Sequence, residues 1–398
     1  MIYLDNAATT QIDPAVLDAM MPYLQEQYGN PGSVHGLGRA ARQAVERARE
    51  QVSAFLKAKP EQIIFTSGGT EANNMVFAMT RRYLQEQGRT HVVVSAVEHD
   101  SVLKAAKNLA DSHGFGLTVA PCDRAGKVYP TKRCELTQSF EDNTGLVSVM
   151  YVNNETGVTN DVKLAAKVVH DHGALFHTDC VHAASCRALN VQKLDCDFLT
   201  ISAHKLHGPK GVGALYVKNP ELFDPMIFGG GGQEFGLRGG TENVAAIVGF
   251  GEACDLMRKK EHNMDAAIEM ESVVGVFLRT LDAALKEKGL SSVFSFNGSV
   301  SYGQRVVNIR LKDIEAETLI LMLDAEGVCI SAGSACNTME QVPSHVLMAM
   351  GLTEDQARSS VRISLSRMNT AEEVVEAAKI IADCIETLKS MASDGTQD

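Results

Sequence analysis

Between Pro14 and Ala253, short apolar runs rich in β-branched residues alternate with longer stretches in which apolar residues recur at helical spacing. The runs "QIIFTS", "THVVVSAVE", "FGLTVAPC", "TGLVSVMYV", "ALFHTDC", "FLTISAHK" and "VGALYVK" read as seven strands. The intervening "RAARQAVERAREQVSAFL" and "DVKLAAKVVHDHG" read as amphipathic helices, with Gly173 ending the second. Strands that are apolar almost throughout cannot leave a face in water. Alternation with helices therefore predicts a mainly parallel sheet of seven strands covered on both faces, an α/β architecture.

The pattern changes after Ala253. A long helical stretch starts near Cys254, "RVVNIRLK", "GVCISAG" and "SSVRISLS" read as strands, and "TAEEVVEAAKIIADCIETLKSM" reads as a closing helix before a frayed tail. At 398 residues the chain exceeds most single cores. We therefore expect a large domain over residues 14–253 and a smaller α+β domain from residues 1–13 and 254–398.

Composition narrows the partners more than the fold. Apolar residues make up 45% and charged residues 22%, as in ordinary globular enzymes. With 37 Lys and Arg against 49 Asp and Glu, the formal charge of −12 opposes direct binding to nucleic acid or an anionic membrane. Asp5 and Asn6 interrupt any apolar leader in "MIYLDNAATTQIDP", and no run of 18 apolar residues is present, so a cytoplasmic protein is expected. Nine cysteines are too few and odd in number for a disulfide scaffold, and with no CxxC pair they predict no metal site.

Three local patterns carry chemistry. In "SAHKLHGPKGVGALYV" a strand ends at Ser202 and Lys205 follows; a lysine at that sheet edge can capture a carbonyl cofactor, with Ser202 and His204 as phosphate donors beside it. In "FTSGGTEANN" two glycines turn the chain and Thr70 opens a helix, leaving main-chain N–H groups and the positive end of the helix dipole for an anion. In "HTDC" an apolar strand ends on Asp179, a carboxylate that needs a cationic partner such as a protonated pyridine nitrogen. A phosphate, a lysine-binding aldehyde and a ring nitrogen coexist in pyridoxal 5′-phosphate.

With "YLDNAATT", "NPGSVHGLGRAAR", "VEHDSV", "NNETG", "RGGTEN", "SAGSAC" and "VRISLSR" occurring in order along nearly the whole chain, the sequence resembles the cysteine desulfurases of the NifS/IscS group, class V members of the fold-type I pyridoxal-phosphate transferases. The resemblance implies conversion of L-cysteine to L-alanine, with the sulfur loaded as a persulfide on Cys336, which sits in the glycine- and serine-rich "CISAGSACNTMEQVP" loop. It implies that Lys205 binds the cofactor's aldehyde and moves the substrate's Cα proton, and that Asp179 pairs with the ring nitrogen. His99 stacks on the ring and assists proton transfer. Gly69, Thr70, Ser202 and His204 bind the phosphate, and Thr241 reaches the phosphate of a neighbouring subunit in a homodimer. Asn154 lies near the cofactor hydroxyl and the substrate, and Arg362 holds the substrate carboxylate.

One position departs from the family pattern. His182 stands where a glutamine commonly touches the cofactor's phenolic oxygen, and an imidazole there is expected to titrate near neutral pH. Lys205, Asp179 and the phosphate site are shared with class V aminotransferases and lyases, so Cys336 separates the desulfurase reading from those and from a noncatalytic scaffold in a sulfur-transfer complex. The acceptor is expected to be a protein, serving iron–sulfur assembly, nitrogenase maturation, transfer RNA thiolation or DNA phosphorothioation. The chain ends soon after "ETLKSM", which weighs against a housekeeping iron–sulfur role.

Overall fold

The computed structural model describes residues 1–130, 135–230, 232–261, 264–299, 304–333 and 342–394; Cys336 lies outside them. After the short strand β1 (Ile2–Tyr3), seven strands form one sheet: β2 (Ile63–Thr66), β3 (His91–Ser95), β4 (Gly116–Ala120), β5 (Thr144–Ser148), β6 (Leu175–Asp179), β7 (Phe198–Ser202) and β8 (Gly213–Val217). Their order is β2-β8-β7-β6-β5-β3-β4. All residues of β2, β3, β5, β7 and β8 are buried. Successive side chains feed opposite cores: Ile63 and Phe65 join one with Leu199 and Ile201, while Ile64 and Phe198 join the other. Helices Gly36–Leu56, Val162–Asp171 and Val244–Glu261 supply Phe55, Val169 and Phe250 to the first core. Helices Gly69–Glu86 and Asp100–His113 supply Met75 and Val102 to the second.

Direction matters more than order for function. The pairs β3–β4, β3–β5, β5–β6 and β6–β7 are parallel. Both β7–β8 and β8–β2 are antiparallel, so two reversals return β2 to the direction of β7. The ends of β2, β3, β5, β6 and β7 therefore open on one edge of the sheet, the edge where ligands of open α/β sheets bind.

The helix expected near Cys254 already begins at Val244, and a second runs over Met264–Glu287. Gly249 and Gly251 weaken the helical signal in the sequence. Packing requires Gly251: a Cβ there would lie 2.7 Å from Ala48 Cα of the neighbouring helix.

Further along, β9 (Phe294–Phe296), β10 (Val306–Leu311), β12 (Ser331–Ala332) and β13 (Ser360–Ser364) form an antiparallel sheet, whereas β11 (Val328–Cys329) pairs in parallel with β1. Phe277, Leu319, Ile363, Ile381 and the N-terminal Leu4 share a separate core. Cys329 is half-buried in the two-residue β11. Among the described residues no helix is long and apolar enough to cross a membrane.

Candidate active site

A cavity of about 290 Å³ opens at the shared strand edge, lined by Gly69, Thr70, His99, Asn154, Asp179, His182, Ser202, His204, Lys205 and Arg362. Of the residues singled out from sequence, two are not in this lining. Thr241 is exposed, and Cys336 is outside the described residues.

Asp179 ends β6 and is buried, yet both oxygens are satisfied: Oδ1 accepts from Val181 N–H at 2.8 Å and Oδ2 from Asn73 Nδ2 at 2.8 Å. Asn73 also donates to Ser101 Oγ at 2.9 Å, joining the carboxylate to the start of helix Asp100–His113. His99 caps that helix. Its Nδ1 accepts from Ser101 N–H at 3.1 Å, so the proton of the neutral ring resides on Nε2.

Lys205 follows β7 in a turn of 3₁₀ helix, and its Nζ donates to Ala7 O and Ala8 O, each at 2.6 Å. The ammonium is thus held by the N-terminal segment. Beside it, His204 bonds through Nδ1 to Thr9 Oγ1 at 3.2 Å and is pushed down to about 4 by burial and by the charges of Lys205 and Lys210. His204 is therefore a neutral hydrogen-bonding group at neutral pH.

The end of the cavity that would take a phosphate is built from backbone. Gly68 takes φ +155° and ψ −178°, a region open essentially to glycine alone, and helix Gly69–Glu86 starts at the cavity. The first turn of a helix has main-chain N–H groups without intrahelical partners. A Cβ on Gly69 would lie 2.9 Å from Val181 Cγ2, so glycine lets the helix end settle against the Asp179 turn. Glu71 in this turn is paired with Arg238 at 2.9 Å, which pulls its pKa down despite burial.

Arg362 is buried on β13, where Nη2 meets Asp5 Oδ1 at 2.9 Å and Nη1 donates to Gly333 O at 3.0 Å and Asn154 O at 3.3 Å. Among the described residues its buried Nε has no partner, leaving one donor of the fork unmatched.

The expected titration of His182 near neutrality is corrected by its surroundings. Burial, then the charges of Lys205 and Arg362, hold the ring well below the ordinary histidine range, so it stays neutral. Sequence reading also passed over groups inside quoted motifs. Asn73 in "FTSGGTEANN" fixes Asp179, Ala7 and Ala8 in "YLDNAATT" hold Lys205, and Glu155 in "NNETG" lines the cavity. Glu98 in "VEHDSV" is fully buried and pushed up to about 8, chiefly by burial; its Oε1 accepts from Ser95 Oγ and Met150 N–H, both at 2.6 Å.

These residues fit pyridoxal 5′-phosphate. Among the described residues, Asn73 Oδ1, His182 Nδ1 and Ser202 Oγ have no partner although buried, and all three residues line the cavity. Unpaired buried polar atoms are costly, and three around one cavity point to a polar ligand. Ser202 with Gly69 and Thr70 would hold its phosphate, Asp179 its ring nitrogen, Lys205 its aldehyde and His182 its phenolic oxygen.

Comparison with known proteins agrees. The aminotransferase class-V family model matches residues 2–376. A cysteine desulfurase of Trichormus azollae is 40% identical over 396 residues, 98% of this chain and 94% of the relative. A solved NifS-like protein superposes with a TM-score of 0.85 at 33% identity, covering 96% of this chain and 98% of that one. A structure described as SspA in complex with cysteine gives 0.76 at 31% identity, covering 93% and 100%. Matched almost end to end, and with the three groups that would anchor the cofactor in one cavity, the chain belongs to the class-V aminotransferase family, in its pyridoxal-phosphate-dependent cysteine desulfurase group.

Proposed function

We propose that this protein is a cysteine desulfurase that converts L-cysteine to L-alanine and loads the sulfur on Cys336. The observation that carries the reading is the convergence of Lys205, Asp179, the glycine-built phosphate end and Arg362 on one cavity. When bound, pyridoxal phosphate supplies an electron sink for the substrate's Cα carbanion. Lys205 Nζ takes and returns the Cα proton, and Asp179, held by Asn73 and Val181 N–H, presents its carboxylate to the ring nitrogen. His99 offers a proton at Nε2, Asn154 lies against the substrate, and Arg362 orients the substrate carboxylate.

The Cys336 thiolate then attacks the substrate sulfur. The carbon–sulfur bond breaks, an S–S bond forms, and the electron pair left on the substrate carbon takes a proton to give L-alanine. Atoms balance: thiol plus cysteine becomes persulfide plus alanine. We assign Cys336 to a small domain of residues 1–13 and 254–398, beside a cofactor domain of residues 14–253. The working unit is a cytoplasmic homodimer in which Thr241 reaches the partner's phosphate site, and the sulfur passes to an acceptor protein.

The test is Cys336→Ala. The variant should keep the cofactor's visible absorbance and bind L-cysteine, yet lose sulfide release by at least about a hundredfold, a loss confined to the chemical step. Sulfide release at the parent rate would overturn the persulfide step and favour a lyase.

A further inference from the structure

Arg362 has five N–H donors, and four of them are already directed at partners. Nη1 donates to Gly333 O at 3.0 Å and to Asn154 O at 3.3 Å. Nη2 donates to Asp5 Oδ1 at 2.9 Å and to Ser331 Oγ at 3.3 Å. Among the described residues only the buried Nε is left over. A carboxylate that approaches a guanidinium on that side takes two parallel bonds, from Nε and Nη2. Arg362 therefore has one unshared N–H for it, and the second bond comes only by sharing Nη2 with Asp5 and Ser331.

Asp5 is held where it stands. Its side chain is 18% exposed, against 2% for Arg362. Asp5 bridges Ser364 in parallel, its carbonyl accepts from Ala8 N–H at 3.0 Å, and Ala7 N–H donates to Ser364 Oγ at 2.8 Å. Ser331, whose hydroxyl donates to Ala332 O at 2.7 Å, brings Arg362 a lone pair but no charge. Among the described residues Asp5 is thus the one carboxylate in ion-pair contact with this guanidinium. A buried arginine without a counter-charge is costly, so Asp5 stabilises the site while it holds no substrate. Once an α-carboxylate arrives, two like charges share one guanidinium.

We propose that Asp5 is an affinity-setting residue that shares Arg362 with the substrate's carboxylate, loosening the hold on L-cysteine and equally on L-alanine, so that product leaves. The inference rests on Arg362 being the anchor of the substrate carboxylate. L-cysteine and L-alanine carry the same carboxylate, so whatever Arg362 adds to one it adds to the other. Binding that is uniform along the reaction does not lower the chemical barrier, and an anchor of full strength would only retain product. Asp5 makes the anchor partial, and it does so through its charge rather than its shape.

The experiment compares holoenzyme of Asp5→Asn, Asp5→Ser and Asp5→Glu with the parent. Cofactor absorbance and the thermal midpoint report folding. Spectral titration gives the Kd for L-alanine and for ethylamine, which is alanine without its carboxylate, and steady-state kinetics give the inhibition of L-cysteine turnover by L-alanine. Asp5→Asn keeps an acceptor oxygen for Nη2 and removes the repulsion between two nearby carboxylates, so it should lower the Kd for L-alanine about ten- to a hundredfold. Product inhibition should strengthen by the same factor, while the Kd for ethylamine stays at the parent value. Asp5→Ser, neutral and smaller, should tighten L-alanine in the same direction, and it carries the test if the amide variant does not fold. Asp5→Glu keeps the charge and should stay within about threefold of the parent. An unchanged or raised Kd for L-alanine in the folded neutral variants, equal tightening in Asp5→Glu, or equal tightening of ethylamine would overturn the proposal. Failure of the underlying reading looks different: Arg362→Gln in the parent background would leave the Kd for L-alanine unchanged.

Discussion

His182 shows how burial decides what a side chain can do. In the sequence it is an imidazole in place of an amide, with a titration that reaches neutral pH. In the fold it is buried in the cavity wall it shares with Lys205 and Arg362, and its charged form is disfavoured by both burial and like charge. His182→Gln should therefore leave the pH dependence of the cofactor's absorbance within about 0.3 units of the parent, since one neutral hydrogen-bonding group replaces another; a larger displacement would mean that the imidazole is protonated in the holoenzyme. That Lys205 and Asp179 would meet at one sheet edge was legible because each sits at or just after the end of a strand in the local order of the sequence. Asn73, Ala7, Ala8 and Glu155 were not, because each acts on a residue distant in sequence, Asn73 on Asp179 106 positions away and Ala7 on Lys205 198 positions away. No local pattern encodes such a meeting.

At the scale of elements, all seven strands of the main sheet were readable as apolar or β-branched runs, although the edge strand β4 is largely exposed. The helix Val244–Glu261 was harder, because the close approach that makes it useful requires the glycines that obscure it. Gly251→Ala should consequently destabilise the protein. The gain in helix propensity, about 1 kcal/mol, is outweighed by a Cβ 2.7 Å from Ala48 Cα, with overpacking costs of about 1–3 kcal/mol and more where backbone must move; chemical denaturation checks the sign. A second element-level device holds the loop before Thr241. Glu234 and Phe235 both take positive φ, at 46° and 57°, and Arg49 pairs with both oxygens of the buried Glu234 at 2.8 Å. Glu234 also accepts from Phe65 N–H at 2.7 Å. Arg49→Met strands that carboxylate in the core and should cost about 3–5 kcal/mol, read as a lower denaturant midpoint with an unchanged slope.

At the scale of the molecule, buried titratable groups set the pH range of stability. His177 is pushed down to about 3 by burial and His207 to about 4 by burial and by Arg367. Unfolded, both take up protons below about 6.5, so stability is present above that pH and lost as acid approaches their folded values, each proton of difference contributing about 1.4 kcal/mol per pH unit. Glu98, raised to about 8, works in the opposite sense: its contribution is present below the ordinary carboxylate range and lost as pH rises through 8. Thermal midpoints should rise from acid to about pH 6.5 and fall from there to about 8, and Glu98→Gln should remove that fall and steepen the acid rise between about 4.5 and 6.5. The proposed dimer is tested on the same scale. Val34 is 88% exposed and Phe228 83%, a cost that a partner surface would remove. Val34→Asp should yield monomers in sedimentation velocity that retain cofactor poorly. The N-terminal segment has a further consequence, in the order of synthesis. Arg362 meets Asp5 and Ser364 meets Asn6 across separations of 357 and 358 positions, while Ala7 and Ala8 hold Lys205. A nascent chain can complete its main sheet while the ribosome is still translating, but the wall bearing Arg362 forms only when the last strand is released. Competence for chemistry is therefore withheld until β13 has emerged, and a shorter nascent chain that has captured the cofactor still lacks the arginine proposed to hold the substrate carboxylate.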